Sequence, residues 1–452
     1  MQRRTLLQLL ATAPLALPAG LPSVSAPRRH RVLVIGAGIS GLAAARTLTQ
    51  RGHSVEILEA RDRTGGRIWT EPDPAGLPLD LGASWIHGIR GNPMAKLASL
   101  SGARLAMTSY DSAILYDTDG SPAGPALDRA VEQLHGFIER SMQRAQRRDR
   151  DVVVDTAIES DPAWATMSTS DRKLVRFILN SIMEQEYGGA TSELSSFWWD
   201  AGSAFGGEDA LLPDGYSAIT DYLASGLSIR LEHVVERIEW GGSELVAVTR
   251  DGGRHVADRM VVTLPLGVLK AQSVTFSPAL PASHRQAIAT LGMGVLDKCY
   301  LRFPHVFWPE EFDWLEYIPE GDRTWVEWVS LARPTGQPVL LGFNAASEAR
   351  QLESSTDEQI VAGAMAVLRR IFGAAVPDPI GYRITRWAAD PFALGSYSFH
   401  AVGSTPAHRT ALAASAANRL FFAGEATHRQ YYGTVHGAYL SGLQAASRVA
   451  RS

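Results

Sequence analysis

Gly36-Ala37-Gly38-Ile39-Ser40-Gly41 has the spacing of a turn that receives a pyrophosphate. Gly36 permits a tight turn, Gly38 lets backbone approach phosphate oxygens, and Gly41 lets a helix pack close to a sheet. Ser40 stands at the start of that helix, where free N–H groups and the helix dipole favour negative charge. Beyond it, Glu59 is placed to accept hydrogen bonds from ribose hydroxyls, and Arg67, just after Gly65-Gly66, offers a charge-assisted fork for the pyrophosphate. The fingerprint from Gly36 to Glu59 points to a dinucleotide without choosing between a nicotinamide and a flavin. A second chemical signal is Lys298, inside the mostly apolar run Gly294–Phe303. The chain has 43 basic residues, of which only Lys96, Lys173, Lys270 and Lys298 are lysines. A lysine buried in such a run is costly unless something uses it, the alternative being a side chain that reaches solvent from a strand edge.

The elements that must position these groups follow from periodicity. Arg31-Val32-Leu33-Val34-Ile35 reads as a buried strand, the turn leads into a helical pattern (Leu42, Ala45, Leu48) ending near Gly52, and Ser54–Leu58 reads as a second strand ending at Glu59. Strand, glycine turn, helix, strand, acid is the order a dinucleotide fold requires. Residues 123–190, rich in Arg, Ala, Leu and Glu, read as helices, whereas residues 285–390 alternate apolar strands with turns, as in Phe312–Ile318 and Trp325–Val329. Thr434 opens a C-terminal helix that carries Val435, Tyr439, Gly442 and Ala446 on one face.

Composition narrows the function classes. The 452 residues are 45% hydrophobic and 20% charged, values of a soluble globular chain long enough for two or three domains. A net charge of −4 provides no basic field for nucleic acid or an anionic membrane. The single cysteine, Cys299, excludes an intrachain disulfide and a multi-cysteine metal site, and no metal is expected. Arg3-Arg4 precede a charge-free run from Thr5 to Pro27 broken by Pro14, Pro18 and Pro22. That pattern fits a cleavable export signal over residues 1–27 better than a membrane span, and its paired arginines suggest the twin-arginine route to the periplasm.

Over residues 31–450 the chain resembles the flavin-containing amine oxidases, their polyamine oxidase branch above all. The resemblance rests on Ala60–Arg67, Leu79–Gly88, Val234–Ile238, Val261–Leu269, Trp387–Phe399, Phe421–Arg429 and Thr434–Gly442. It implies an α/β fold in which a Rossmann-like FAD-binding domain (31–110, 221–284 and 388–452) interleaves with an α+β substrate domain (111–220 and 285–387). It also implies non-covalent FAD, because Ser396 stands where some relatives attach the ring through cysteine. Gly82, Ala83, Ser84 and Trp85 would then face the flavin, Val235 would lay its backbone against adenine, and Glu425 would bind a ribityl hydroxyl. Trp387, Thr434 and Val435 would complete the cofactor contacts. Lys298 would hold a water beside flavin N5, and Tyr397 would form one wall of an aromatic sandwich whose second wall is here Thr434 in place of tyrosine. His87 reads as a contact on the amine path or as a satisfied core histidine. Glu184 and Glu186 read as partners of the distal ammonium groups of a polyamine or as a solvated helix face.

The reaction implied is oxidation of a polyamine to an imine by hydride transfer to the flavin, with oxygen reduced to hydrogen peroxide. The competing readings are a monoamine or L-amino-acid oxidase, a carotenoid or porphyrinogen oxidase, and a non-catalytic flavoprotein binding module. The absence of an arginine near Gly82-Ala83 counts against the amino-acid oxidase, since nothing there would clamp a substrate carboxylate.

Overall fold

The computed structural model describes residues 29–452, so the export reading of residues 1–27 lies outside the described residues. Strands form at Arg31–Ile35 and Ser54–Leu58, with the helix Ile39–Gln50 between them, as the periodicity predicts. These two strands are the centre of a five-stranded sheet in the order Leu420–Phe422, Arg259–Val262, Arg31–Ile35, Ser54–Leu58, Ile229–Arg230, and all its pairings are parallel. Parallel strands need covered faces and read as continuous apolar runs, which Val32–Ile35 and Met260–Val262 are. The helix Val435–Val449 covers one face together with Ile39–Gln50. The two helices approach closely because Gly442 is a glycine: a Cβ there would lie 2.2 Å from the Ser40 carbonyl oxygen.

A second, six-stranded sheet runs Gly381–Ile384, Leu296–Arg302, Val339–Ala345, Glu327–Ser330, Trp314–Tyr317, Ala113–Tyr116. Its pairings are antiparallel except the last, which is parallel. The segment 285–390 is not all strand and turn, however, since Asp357–Phe372 is a helix capped by Thr356 and Gln359. Its Ile360, Ala364, Met365 and Leu368 are buried against the far face of that sheet, which gives the outer face of the sheet a cover. Residues 125–185 are helical: Pro125–Gln146, Val154–Glu159, Pro162–Thr166 and Thr169–Leu179, the last continuing into a π-helical turn over Asn180–Gln185. None of the described helices is long and apolar enough to cross a membrane.

Candidate functional site

One cavity of about 1210 Å³ runs from the glycine turn of the parallel sheet to the inner face of the six-stranded sheet and the helical segment. At the parallel-sheet end, each glycine of the turn has a different reason to be one. Gly36 has φ +103°, and a Cβ would sit 2.6 Å from Thr263 Oγ1. At Gly41, which does not line the cavity, a Cβ would be 2.0 Å from the Gly36 carbonyl oxygen. Gly38 is neither strained nor crowded: its φ is −70°, and the only atom within 4 Å of an added Cβ is the Gly65 carbonyl oxygen at 3.8 Å. Gly38 therefore keeps room clear on the cavity side of the helix N-terminus. Beside it Ser40 is buried, lines the cavity, and its Oγ has no hydrogen-bond partner. A buried hydroxyl without a partner is an exception among folded proteins, and a phosphate oxygen would satisfy it.

Glu59 reaches this end from the second strand. One carboxylate oxygen accepts the Ala37 N–H at 2.6 Å and the other the Arg61 N–H at 2.9 Å, so the side chain holds the turn and keeps lone pairs for a ribose. Arg67 donates Nη1 to the Ser396 carbonyl at 2.8 Å and to Glu425 Oε1 at 2.9 Å. Among the described residues its Nε and Nη2 have no hydrogen-bond partner, which leaves that edge of the guanidinium for an anion. Together the turn, Ser40, Glu59 and Arg67 fit a dinucleotide such as FAD.

Glu425 is more committed to the protein than the sequence suggests. Its Oε2 accepts from Ser398 Oγ at 2.6 Å and from the Gly433 N–H at 2.9 Å, in addition to the ion pair with Arg67. Ser398 in turn accepts from Arg409 Nη1 at 2.7 Å, and Arg409 is fully buried with its guanidinium 3.9 Å from the Tyr432 ring centroid. Burial alone would raise the Glu425 carboxyl, but Arg67, Ser398 and Arg409 bring it below the ordinary carboxylate range. Burial holds Arg409 down at about 10. One lone pair on Oε1 is all that remains for a ribityl hydroxyl.

At the junction of the two sheets Gly82, Ala83, Ser84 and Trp85 line the cavity, with Gly82 required because a Cβ would lie 1.8 Å from the Arg67 carbonyl oxygen. Lys298 enters the same junction from the six-stranded sheet. Its Nζ donates to the carbonyls of Asp80 at 2.7 Å and Gly82 at 2.6 Å and to Ser84 Oγ at 2.5 Å. An ammonium has three protons, and these acceptors take all of them, so a water beside a flavin is held only if one of these bonds opens. Burial pulls the lysine down to about 7, with the nearby Asp80 opposing, so the neutral amine is accessible near neutrality. Cys299, the next residue, faces the other side of the sheet, buried at 1% exposure among Leu301, Phe303 and Trp328 and away from the cavity.

Val235 and Trp387 also line the cavity, the latter with Nε1 donating to the Leu81 carbonyl at 3.0 Å. Thr434 caps the C-terminal helix, accepting the Gly437 N–H at 3.0 Å and donating to the Tyr431 carbonyl at 2.8 Å. Its hydroxyl is thus spent on the cap, although Thr434 and Val435 both line the cavity. Tyr397 lines it as well and donates its hydroxyl to the Gln185 carbonyl at 2.8 Å. Burial, reinforced by Glu186 and Glu327, pushes its phenol well above the ordinary value. His87 pairs through Nδ1 with Asp209 at 2.9 Å. Burial works against its charged form, but Asp209 and Glu186 raise its pKa overall.

The two acids expected to read a distal ammonium part company. Glu184 is fully buried and does not line the cavity. It accepts from Asn180 Nδ2, from the Thr191 N–H and from Thr191 Oγ1, and pairs with Arg323 at 3.2 Å, so its charge is already compensated. Glu186, just past the π-helical turn, lines the cavity with no ion pair or hydrogen bond to any described residue. Two residues along a helical stretch are about 200° apart around the axis, which is why these acids end on opposite sides of the helix surface.

Besides Asp111 and Asp200, two cavity acids on strands were missed by the sequence reading, Glu316 and Glu327. The signal was present: each is a lone carboxylate in an otherwise apolar, aromatic strand, Trp314-Leu315-Glu316-Tyr317 and Glu327-Trp328-Val329. Arg409 carried no such signal, because an arginine on the short helix Pro406–Ala413 reads as exposed.

The sequence pattern described as "Flavin containing amine oxidoreductase" matches residues 39–450. The chain is 36% identical over 441 residues to "Lysine-specific histone demethylase 1 homolog 3" of Oryza sativa subsp. indica, covering 94% of this chain and 54% of that protein. It is 34% identical over 431 residues to "Polyamine oxidase 4" of Oryza sativa subsp. japonica, covering 92% and 87%. A similar match, 34% over 435 residues, covers 93% of the chain and 88% of "Polyamine oxidase 2" of Arabidopsis thaliana. The chain thus spans about half the length of the demethylase homologue and most of the length of the two oxidases.

Proposed function

The chain belongs to the flavin-containing amine oxidoreductase family, and from that premise we propose that it is an oxidase of polyamines that uses non-covalently bound FAD and oxygen. The observation that carries this reading is the division of charge along one cavity. Arg61, Arg67 and Arg250 line its parallel-sheet end beside Glu59 and Glu425, while Asp111, Glu186, Asp200, Glu316 and Glu327 line the other. An anionic cofactor and a cationic substrate are the pair of ligands such a cavity attracts from opposite ends.

Bound FAD would supply the acceptor for the hydride, two electrons and a proton, that leaves the C–H bond next to the amine nitrogen. The Gly38 backbone, Ser40 and Arg67 would hold its pyrophosphate, Glu59 its ribose and Glu425 its ribityl chain. Tyr397, pinned through Gln185, forms a rigid wall that orients the amine, and its undissociated phenol adds no charge beside it. Lys298 fixes the Asp80–Ser84 segment, and its lowered pKa suits it to pass a proton near neutral pH. His87 and Glu186 stand on the amine's approach, where Glu186 attracts the cation.

The test is peroxide formation by the flavin-loaded protein over putrescine, spermidine, spermine, their acetylated forms, tyramine and an N-methylated lysine peptide. Turnover of a polyamine above all others is expected. Preference for the peptide would favour a demethylase reading, which the 36% identity to the demethylase homologue supports as the second choice. Preference for tyramine would make the protein a monoamine oxidase. For residues 1–27 the proposal is export by the twin-arginine route, since the cofactor must enter during folding. Arg3→Lys with Arg4→Lys should then leave flavin-loaded protein in the cytoplasm.

A further inference from the structure

The register of the six-stranded sheet places four cavity residues in one row. Lys298 pairs with Phe343, Phe343 with Glu327, and Glu327 with Glu316. Directly paired residues project from the same face, and all four line the cavity. Adjacent strands are about 4.8 Å apart, so Glu327 stands about 10 Å and Glu316 about 14 Å from Lys298 along the row. We propose that this row is a ruler: Glu327 and Glu316 bind the non-reacting ammonium of a long di- or polyamine whose other end is oxidised at the Lys298 junction. The inference rests on the amine oxidase reading and adds to it the site and length of substrate recognition.

Three observations carry the assignment. Two glutamates directly opposite on a buried face cannot both ionise cheaply, and a bound cation favours the ionised form of both. Glu327 is 8% exposed, and no arginine or lysine pairs with either acid among the described residues. Next, Gln185 is 7% exposed, lines the same cavity one residue before Glu186, and its Oε1 has no donor. An acceptor without a donor beside carboxylates calls for a ligand rich in N–H groups, as an ammonium is. Finally, Trp314 lies two residues from Glu316 on the same face and stacks on Tyr110 at 4.5 Å, and both rings line the cavity. Aromatic faces beside carboxylates stabilise an alkylammonium chain along its length. The basic side chains on this half of the cavity are Lys298 at the junction, His87, held by Asp209, His436, which burial and His87 lower to about 4, and His135, whose pKa burial lowers.

The experiment uses flavin-loaded wild type, Glu316→Gln and Glu327→Gln with α,ω-diamines from 1,4-diaminobutane to 1,12-diaminododecane and the matching monoamines. In the wild type, the ratio of diamine to monoamine kcat/KM should rise at least tenfold between the shortest and the longer members. In either variant that rise should shrink at least fivefold. A ratio independent of length, or a rise retained in both variants, overturns the ruler. Should the protein oxidise none of these amines, the function reading fails separately, and thermal-shift titration with the same series decides the ruler. Long diamines must then raise Tm in wild type more than the monoamines do, and lose that advantage in both variants; equal shifts overturn the ruler.

Discussion

The two ends of the cavity are built on opposite principles. The parallel-sheet end offers backbone: a glycine turn, a helix N-terminus and the edge of one arginine, supported by side chains that are themselves pinned, such as Glu59 on Ala37 and Arg61. The six-stranded end offers side chains: carboxyl groups left without counterions and aromatic rings packed around them. The difference teaches where each end can tolerate change. A backbone site is fixed by local sequence and is lost when a Cβ intrudes, whereas a carboxylate site depends on distant strands meeting in register and is retuned by single substitutions.

The sharpest way to break this contrast is at Glu425, which ties the parallel-sheet end together. Glu425→Ala leaves Arg67 and Ser398 without their shared partner, and losing one member of a buried pair costs about 3–5 kcal/mol. The purified variant should carry much less flavin, read as the ratio of flavin to protein absorbance, and melt at lower temperature. Full flavin occupancy would remove Glu425 from the cofactor site.

Next in size is Glu327→Gln, read through pH. Burial, partly offset by a hydrogen bond from Ser181 and reinforced by Glu316 and Glu186, raises the Glu327 carboxyl from 4.5 to about 8. The folded protein therefore keeps a proton that the unfolded chain releases, and stability falls as pH rises from about 4.5 to about 8. Glutamine mimics the protonated form and removes this slope. Urea melts should show the variant more stable than wild type by about 4 kcal/mol at pH 8 and near parity at pH 4.5. Parallel stability curves would mean that Glu327 is ionised in the folded protein.

The neighbouring acids give a smaller, two-sided test. Glu186→Gln should cost about 1.5 kcal/mol in kcat/KM for spermidine, roughly tenfold, with little change in Tm. Glu184→Gln should lower Tm, because Arg323 and Thr191 lose a charged partner, and should not discriminate between spermidine and a monoamine. The reverse pattern would return Glu184 to the substrate site. Smallest is Gly38→Ala, which has room for its Cβ in the empty protein. It should change apoprotein stability by about 1 kcal/mol or less and yet weaken flavin binding about tenfold, in contrast to Gly41→Ala, which collides with the Gly36 carbonyl.

Local structure was legible where one short segment carries all of it. The strand Arg31–Ile35, the turn, the helix and the acid at Glu59 lie within thirty residues, and each has a residue type that physics requires at its place. Lys298 was legible for a similar reason, since a lysine in an apolar strand advertises its cost. The fate of Glu184 and Glu186 was not legible. Both are acids on one helical stretch, two residues apart and so on opposite sides of it, but only the arrival of Arg323 from another part of the chain decides which one is closed into an ion pair and which faces the cavity.

The amino-acid sequence by itself determined the parallel-sheet core, its phosphate-ready turn, the resemblance to a flavin family and the presence of a costly lysine. Those depend on contacts between near neighbours, or on residue types whose conformational demands hold in any context. The tertiary structure alone decided that Lys298 spends its protons on the Asp80–Ser84 segment, that Arg409 backs Glu425 through Ser398, and that Glu316 stands opposite Glu327. Each of these joins side chains from separate strands or helices, and a strand shifted by one residue would have turned every one of its side chains to the other face. Register, which is fixed by the packing of the whole sheet, is therefore where the charge pattern of the cavity was set.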